Sequence, residues 1–257
     1  MKLARFLREL IHISRTVPER IVKTFQQSQS DIAYPFCWVP SNIKAKWIID
    51  VGANVGDISL AALRTYPDSR LICFEPVKSQ FLQLEKKLLN FRDRTTLYNM
   101  GLSDKAGQTD ILITSYCGAN CLSPLSDFYR NSNPTIEVVG KEQVQLCRLD
   151  DISSQFPTQR IDILKIDVEG HELSVLNGGE NFIGSLVDTI LIEISFQRDY
   201  DWENQAFLDI FIKLKDLGFR LINIYDVYNA RGDRVSNNML VTQIDCVFRH
   251  KRNLSVT

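Results

Sequence analysis

The sequence predicts an α/β protein: a doubly wound, mostly parallel sheet of seven strands that ends in an antiparallel strand pair. Three observations carry that expectation. From residue 46 onward, short apolar runs alternate with amphipathic segments, and such alternation implies a parallel sheet with helices on both faces. The first run ends in the glycine-containing turn Asp50-Val-Gly52-Ala-Asn54-Val-Gly56, at the strand edge where sheets of this kind bind ligands. The last two runs are joined by a polar connection containing Asn229, Gly232 and Asp233. It is too short for a crossover helix, so those strands should pair antiparallel.

In chain order, residues 47–51 and 70–75 read as buried strands, followed by helices over 54–65 and 77–90. The second helix carries Phe81, Leu84 and Leu88 at helical spacing. A third strand falls at 95–99. Strands over 161–167 and 187–194 flank a helical stretch at 172–182. A helix over 204–217 stops at Gly218, and strands over 219–225 and 241–248 complete the seven.

Two segments stand outside this rhythm. Residues 103–149 hold Gly107, Gly118, Pro124, Pro134 and Gly140 among short β-like runs. An insertion this long inside an α/β domain is more often functional than idle, and a lid or substrate-binding subregion is expected. Residues 1–45 read as an N-terminal helical extension to the 46–257 domain. Leu3, Phe6, Leu7 and Leu10 fall at helical spacing beside Lys2, Arg5 and Arg8. Such a helix either packs across the edge of its own domain or makes a peripheral membrane contact.

Composition narrows the classes further. With 44% hydrophobic and 24% charged residues, the chain can build a core without metal or disulfide staples. A formal net charge of -1 supplies no global basic field, so no nucleic-acid partner is expected. The six cysteines are scattered, and Cys117 with Cys121 alone makes poor zinc spacing. Reduced cysteines in a cytoplasmic protein are expected. No run is long and apolar enough for a transmembrane helix, and Arg5, Arg8, Glu9 and Arg15 interrupt any secretory signal. Nothing in the pattern reports oligomeric state.

The turn after the first strand discriminates between nucleotides. A dinucleotide fingerprint needs glycines at 52, 54 and 57, where this chain has Gly52, Asn54 and Asp57. An acid at the helix start also repels a pyrophosphate. Both points argue against a nucleotide-dependent oxidoreductase and suit a nucleoside without phosphates. Glu75, in Phe74-Glu75-Pro76 at the end of the second strand, stands where an acid accepts ribose hydroxyl hydrogens. The bland alternative is an acidic helix cap.

Four segments together (DVGANVGDIS at 50–59, FEP at 74–76, GLSD at 101–104 and LKIDVEGHEL at 164–173) resemble the FkbM family of methyltransferases. The similarity runs from about residue 48 to 248. It implies the Rossmann-like plan of the class I methyltransferases and S-adenosylmethionine as cofactor. Asp50, Gly52, Asn54, Gly56 and Ser59 would then shape the methionine end, and Glu75 with Pro76 the ribose site. Leu102, Ser103 or Asp104 would line the adenine, unless that segment is simply a β-turn. The resemblance further implies a hydroxyl oxygen as methyl acceptor, on a sugar, glycolipid or secondary metabolite: a small-molecule or glycan partner.

The loop after the fourth strand gathers Asp167, Glu169, His171 and Glu172, and Glu193 lies near the end of the fifth. Three readings stay open. His171 or Asp167 is the general base, with Glu169 or Glu193 orienting the acceptor. Alternatively, Asp167, Glu169 and Glu193 with His171 hold a divalent metal, or the acids merely cap a helix. Lys165, in an apolar strand, needs a partner such as Asp167 or Glu193. A non-catalytic nucleoside-binding protein that retained the fold is the alternative from another class.

Overall fold

Strands of a parallel sheet covered on both faces must be apolar throughout, and the central runs of this chain are. The computed structural model describes residues 34–157, 160–195, 206–229 and 241–254. Its strands are β1 (Trp47–Val51), β2 (Arg70–Phe74), β3 (Thr95–Tyr98), β4 (Gly101–Leu102), β5 (Gly107–Thr114), β6 (Val138–Cys147), β7 (Ile161–Ile166), β8 (Val187–Ser195), β9 (Phe219–Asn229) and β10 (Val241–His250). The helices are α1 (Asp57–Thr65), α2 (Lys78–Lys87), α3 (Asp127–Ser132), α4 (Leu149–Ile152), α5 (Glu172–Gly178), α6 (Glu180–Leu186) and α7 (Ala206–Asp216).

Seven strands form one sheet in the order β3-β2-β1-β7-β8-β10-β9. Neighbours from β3 to β8 are parallel, and β10 is antiparallel to both β8 and β9. The expected fold class is therefore present, with one refinement. The final strand does not sit at the sheet edge; it is threaded between β8 and β9. The α7 crossover carries β9 one place beyond β8, and β10 fills the gap. Ile49, Val51, Ile72, Phe74, Leu164, Ile166, Ile190 and Ile192 form the buried centre. The strand order reverses between β1 and β7, which opens a cleft at their carboxyl ends.

The stretch read as one helix over 172–182 is two, α5 and α6, broken at Gly178-Gly179. A Cβ on Gly178 would stand 1.8 Å from the Ser103 carbonyl oxygen. The glycine lets α5 press against the chain leaving β4.

The 103–149 insertion is an ordered substructure. β4, β6 and β5 make a three-stranded sheet in that order, with Val77, Ile111, Val144 and Leu146 as its own small core. Because Val77 precedes α2, this core fastens the small sheet to the β2–α2 turn. The Lys78 N–H also donates to Glu142 Oε1 at 2.8 Å.

The expected amphipathic N-terminal helix, and with it the membrane-contact reading, lies outside the described residues. Its neighbours 34–45, assigned by sequence to the extension, pack on the domain. Phe36 is 1% exposed and meets Tyr66 edge-on, and Trp38 stacks on Tyr225. Among the described residues, no helix is long and apolar enough to cross a membrane.

Gly178→Ala should destabilise the protein by about 2–3 kcal/mol, since overpacking against backbone cannot relax through a rotamer. Urea denaturation measures it, and a loss below ~0.5 kcal/mol would contradict the close approach.

Candidate functional site

Two charged residues interrupt the apolar centre of the sheet, side by side. Asp50 on β1 and Lys165 on β7 are register partners. Lys165 Nζ lies 3.1 Å from Asp50 Oδ1 and 3.3 Å from Asp167 Oδ2, and it donates to the Gly52 carbonyl at 3.0 Å. An ammonium has three hydrogens, and here it has three acceptors. Burial alone would lower its pKa, but Asp167 and Asp50 outweigh that and raise it. The open choice of partner resolves to Asp167, with Asp50 as a second.

Asp50 is 2% exposed and accepts from Ser59 Oγ at 2.6 Å. Asp50 and Ser59, expected to shape the cofactor site, here bond to each other and fasten α1 to β1. Gly52 has φ +78°, and a Cβ there would be 1.9 Å from the Asp167 carbonyl oxygen. The sequence reading gave this glycine to ligand approach; its nearest neighbour is the β7 loop. Asn54 takes φ +48°, a left-handed conformation that asparagine tolerates. Gly56, at φ +88°, precedes α1 and makes room for Leu84.

Glu75 is pinned at both oxygens. Oε2 accepts from the Asn54 N–H at 2.8 Å and Oε1 from the Val77 N–H at 2.9 Å. The rest of each oxygen's acceptor capacity is unspent. Burial raises its pKa to about 7, against the lowering effect of those two N–H groups. Asn99, which the sequence reading passed over, donates from Nδ2 to the carbonyls of Glu75 and Pro76 at 3.0 and 2.9 Å. An asparagine just beyond a strand end was the available signal.

A cavity of about 470 Å³ runs along the strand ends from β2 to β8. Gly52, Asn54, Glu75, Pro76 and Leu102 line it, as do Asp167, Glu169, His171 and Glu193. Asp50, Gly56, Ser59, Ser103 and Asp104 do not. Ser103 is turned away because its backbone is pressed on Gly178, and Asp104 is exposed beside it. The insertion contributes Tyr116, Asn120, Leu122, Tyr129, Asn133 and Ile136, none of them singled out from sequence. Asp57, also lining the cavity, is ion-paired with Lys87.

The loop after β7 turns through positive φ at Glu169 (+59°) and Gly170 (+91°). Glu172 reaches back, its Oε1 accepting from the Val168 and Gly170 N–H groups at 3.2 and 3.1 Å. Glu172 therefore braces the loop before α5, while the helix start itself carries no side-chain cap. Burial raises its pKa to about 7. His171 Nε2 lies 2.9 Å from Ser103 Oγ, whose hydrogen goes to Asp104 Oδ1 at 3.2 Å. The ring ties the loop to β4, and burial lowers its pKa despite Asp104 nearby.

One oxygen from each of Asp167, Glu169 and Glu193 falls within 4.8 Å of the others. Burial raises the Glu193 pKa well above the usual carboxylate range, and the charges of Asp167, Glu169 and Asp245 add to it. Asp245 on β10 stands directly opposite Glu193, and Asp226 on β9 opposite Asp245. Burial, then Asp167 and Asp226, raise Asp245 to about 7. Tyr34 donates to Asp245 Oδ2 at 3.4 Å. Like Lys165, these two acids were visible as charges inside apolar strands.

Residues 50–221 match the model of the methyltransferase FkbM domain. The chain belongs to that family. "Methyltransferase sdnD" of Sordaria araneosa is 28% identical over 191 residues, 66% of this chain and 73% of that protein. "2-O-methyltransferase NoeI" of Sinorhizobium fredii is 27% identical over 173 residues, 63% of this chain and 70% of that one. The crystal structure of methyltransferase FkbM from Methylobacillus flagellatus shares the fold, with a TM-score of 0.54 at 15% identity. That match covers 86% of this chain but only 47% of the other.

Lys165→Met should cost roughly 3–5 kcal/mol, because it leaves Asp50 buried without its cation. Adding Asp50→Asn should recover much of the loss. A single variant as stable to urea as the parent would show that the pair is not a structural keystone.

Proposed function

We propose that this FkbM-family methyltransferase uses S-adenosylmethionine to methylate a hydroxyl oxygen, on a sugar or other small polyhydroxylated acceptor. The observation that carries the reading is Glu75, held by two backbone N–H groups at one side of a cavity whose other side gathers three carboxylates. S-adenosylmethionine would supply a methyl group already activated on a sulfonium. The residues present fit it. The two Glu75 oxygens keep lone pairs for two ribose hydroxyls, and Asn54 Oδ1 is a buried acceptor without a partner. Pro76 and Leu102 offer an apolar wall for a base. Among the described lining residues no cation is left for a phosphate, since Lys165 is fully engaged. That agrees with the glycine pattern and disfavours a dinucleotide.

At the far side the protein has to orient a hydroxyl and take its proton. Glu193 suits the second task, because burial and the carboxylates of Asp167, Glu169 and Asp245 raise its proton affinity above that of an ordinary carboxylate. Asp167, fixed by Lys165, orients the acceptor. His171 commits Nε2 to Ser103, so Nδ1 is the ring atom left to take a proton. The insertion, through Tyr116 and Tyr129, closes over the acceptor. The name of NoeI supports oxygen as the acceptor atom. A second reading rests on the convergence of Asp167, Glu169 and Glu193, whose oxygens are close enough to share one divalent cation.

Glu75→Ala should weaken S-adenosylmethionine binding by roughly 1.5–3 kcal/mol in calorimetry. The pH dependence follows from the raised carboxyl. Below about 7 Glu75 takes up a proton and loses an acceptor. The dissociation constant should therefore rise toward tenfold per pH unit below that point and level off above it. Glu75→Gln should flatten the profile; an unchanged profile in that variant would assign the titration elsewhere.

Glu193→Gln should lower kcat by roughly 10²–10⁴, while the cofactor dissociation constant changes by less than about threefold. Turnover equal to the parent's would remove Glu193 as the base. Loss of activity on chelation, restored by magnesium or manganese, would favour the metal reading instead. Cofactor binding without turnover on any hydroxylated acceptor would support the non-catalytic alternative.

A further inference from the structure

The tip of the inserted sheet presents a large aromatic side chain from a tightly braced turn. Beyond β5 the chain doubles back, and Cys121 pairs with Leu112 through hydrogen bonds of 2.9 and 3.2 Å. Asn120 reaches across the turn, its Oδ1 accepting from the Thr114 N–H at 2.8 Å. The Tyr116 carbonyl accepts from Thr114 Oγ1 at 2.6 Å and from the Ala119 N–H at 2.9 Å. Thr114, Ala119 and Cys121 are buried, yet the Tyr116 side chain they support is 60% exposed and lines the cavity. A lone exposed tyrosine is ordinary on a protein surface; two features set this one apart. A Cβ on Gly118 would stand 2.7 Å from Tyr116 Cε1 and 3.0 Å from its hydroxyl oxygen, so the ring's outer end rests on bare backbone. The small sheet is also fastened to the β2–α2 turn where Ile111 packs with Val77. Three residues on, at about 3.3 Å each, Thr114 ends the strand roughly 10 Å past that anchor. Tyr116 extends from there, away from the turn that holds Glu75.

We propose that Tyr116 is the platform on which the acceptor lies, its ring covering the apolar C–H face of a sugar ring. The proposal rests on the methyl-transfer reading above and names the residue that selects a cyclic acceptor. A pyranose carries its hydroxyls around the rim and C–H bonds on its faces. Polar lining groups can hold the rim, but a face gains only by leaving water. A tyrosine ring offers a flat apolar surface with few torsions to fix. At the usual gain per area of apolar surface, covering one face is worth roughly tenfold in affinity. An open-chain polyol has the same hydroxyls and no such face. Gly118 sets where the ring stands, because any side chain there would push against the tyrosine's mobile end before it met backbone.

The test uses the full-length protein saturated with S-adenosylhomocysteine, so that the cofactor side is filled. Glucose, galactose, fucose, mannose and the open-chain sorbitol are the probes, read by ligand-observed NMR with irradiation of the protein's aromatic protons. At least one sugar should bind and receive magnetisation on the C–H protons of one face. The tightest-binding sugar should exceed sorbitol by about tenfold in the parent. Tyr116→Ala should close that gap and Tyr116→Phe should keep it. Gly118→Ala, which displaces the ring without removing it, should narrow it. S-adenosylhomocysteine affinity within about threefold of the parent's certifies each variant as folded. Sugar affinity unchanged in Tyr116→Ala overturns the proposal, as does sorbitol binding equal to the best sugar in the parent. A Tyr116→Phe variant as weak as Tyr116→Ala, or no binding by any sugar, overturns it as well. Loss of S-adenosylhomocysteine affinity in Tyr116→Ala, retained in Tyr116→Phe, would put the ring over the cofactor and overturn it too. Failure of S-adenosylhomocysteine to bind the parent would instead sink the methyl-transfer reading.

Discussion

The arrangement of this site depends on one buried ion pair. Asp50 and Lys165 meet across adjacent strands in the driest part of the sheet. A buried pair of this kind contributes little net stability compared with apolar packing, but it fixes geometry. Lys165 points its hydrogens at Asp50, at the Gly52 carbonyl and at Asp167. Through these contacts it binds the turn after β1 to the loop after β7, the two segments that flank the switch point. Gly52 completes the junction, because any side chain there would collide with the Asp167 backbone. The glycine turn and the acidic loop are therefore one unit, and neither can be placed without the other.

Three glutamates at this edge do three different jobs, and their neighbours decide which. Glu172 spends Oε1 on two N–H groups of the loop before its helix and braces that loop. Glu75 takes one backbone N–H on each oxygen, which orients it while leaving acceptor capacity toward the cavity. Glu193 is surrounded by carboxylates and desolvated, so its proton affinity is raised by repulsion as well as burial. Residue type alone would have assigned all three the same role.

Much of the fold was legible because its signals are local. Apolar runs, the Gly52 turn and the polar connection around 229–233 predict the sheet class without knowledge of contacts. Strand order within the final pair was not legible, since it depends on how far the α7 crossover carries the chain. The single helix expected over 172–182 fails for a similar reason. The break at Gly178-Gly179 answers to Ser103, some 75 residues earlier in the chain. In the site, Gly52, Asn54, Glu75, Leu102, Asp167, Glu169 and Glu193 could be found from strand ends. Asp50, Ser59 and Ser103 lie in the same motifs but do not line the cavity, a distinction that sequence periodicity does not carry. Tyr116 and Tyr129 come from an insertion whose path no local pattern specifies.

The antiparallel strand has a chemical consequence. In an antiparallel pair, opposed residues share a face and approach closely, and like charges there are unfavourable. By threading between β8 and β9, β10 sets Asp245 against Glu193 on one side and Asp226 on the other. An all-parallel continuation of the sheet would have no reason to stack acids in this row. The partial remedies are visible. Burial and repulsion raise Asp245 toward neutrality, so it need not carry full charge, and the Tyr34 hydroxyl donates to it. Departures from local rules of sheet design concentrate where a protein does its work. Here the departure and the cavity coincide: the strand that makes the sheet mixed also backs the carboxylates that line the cavity.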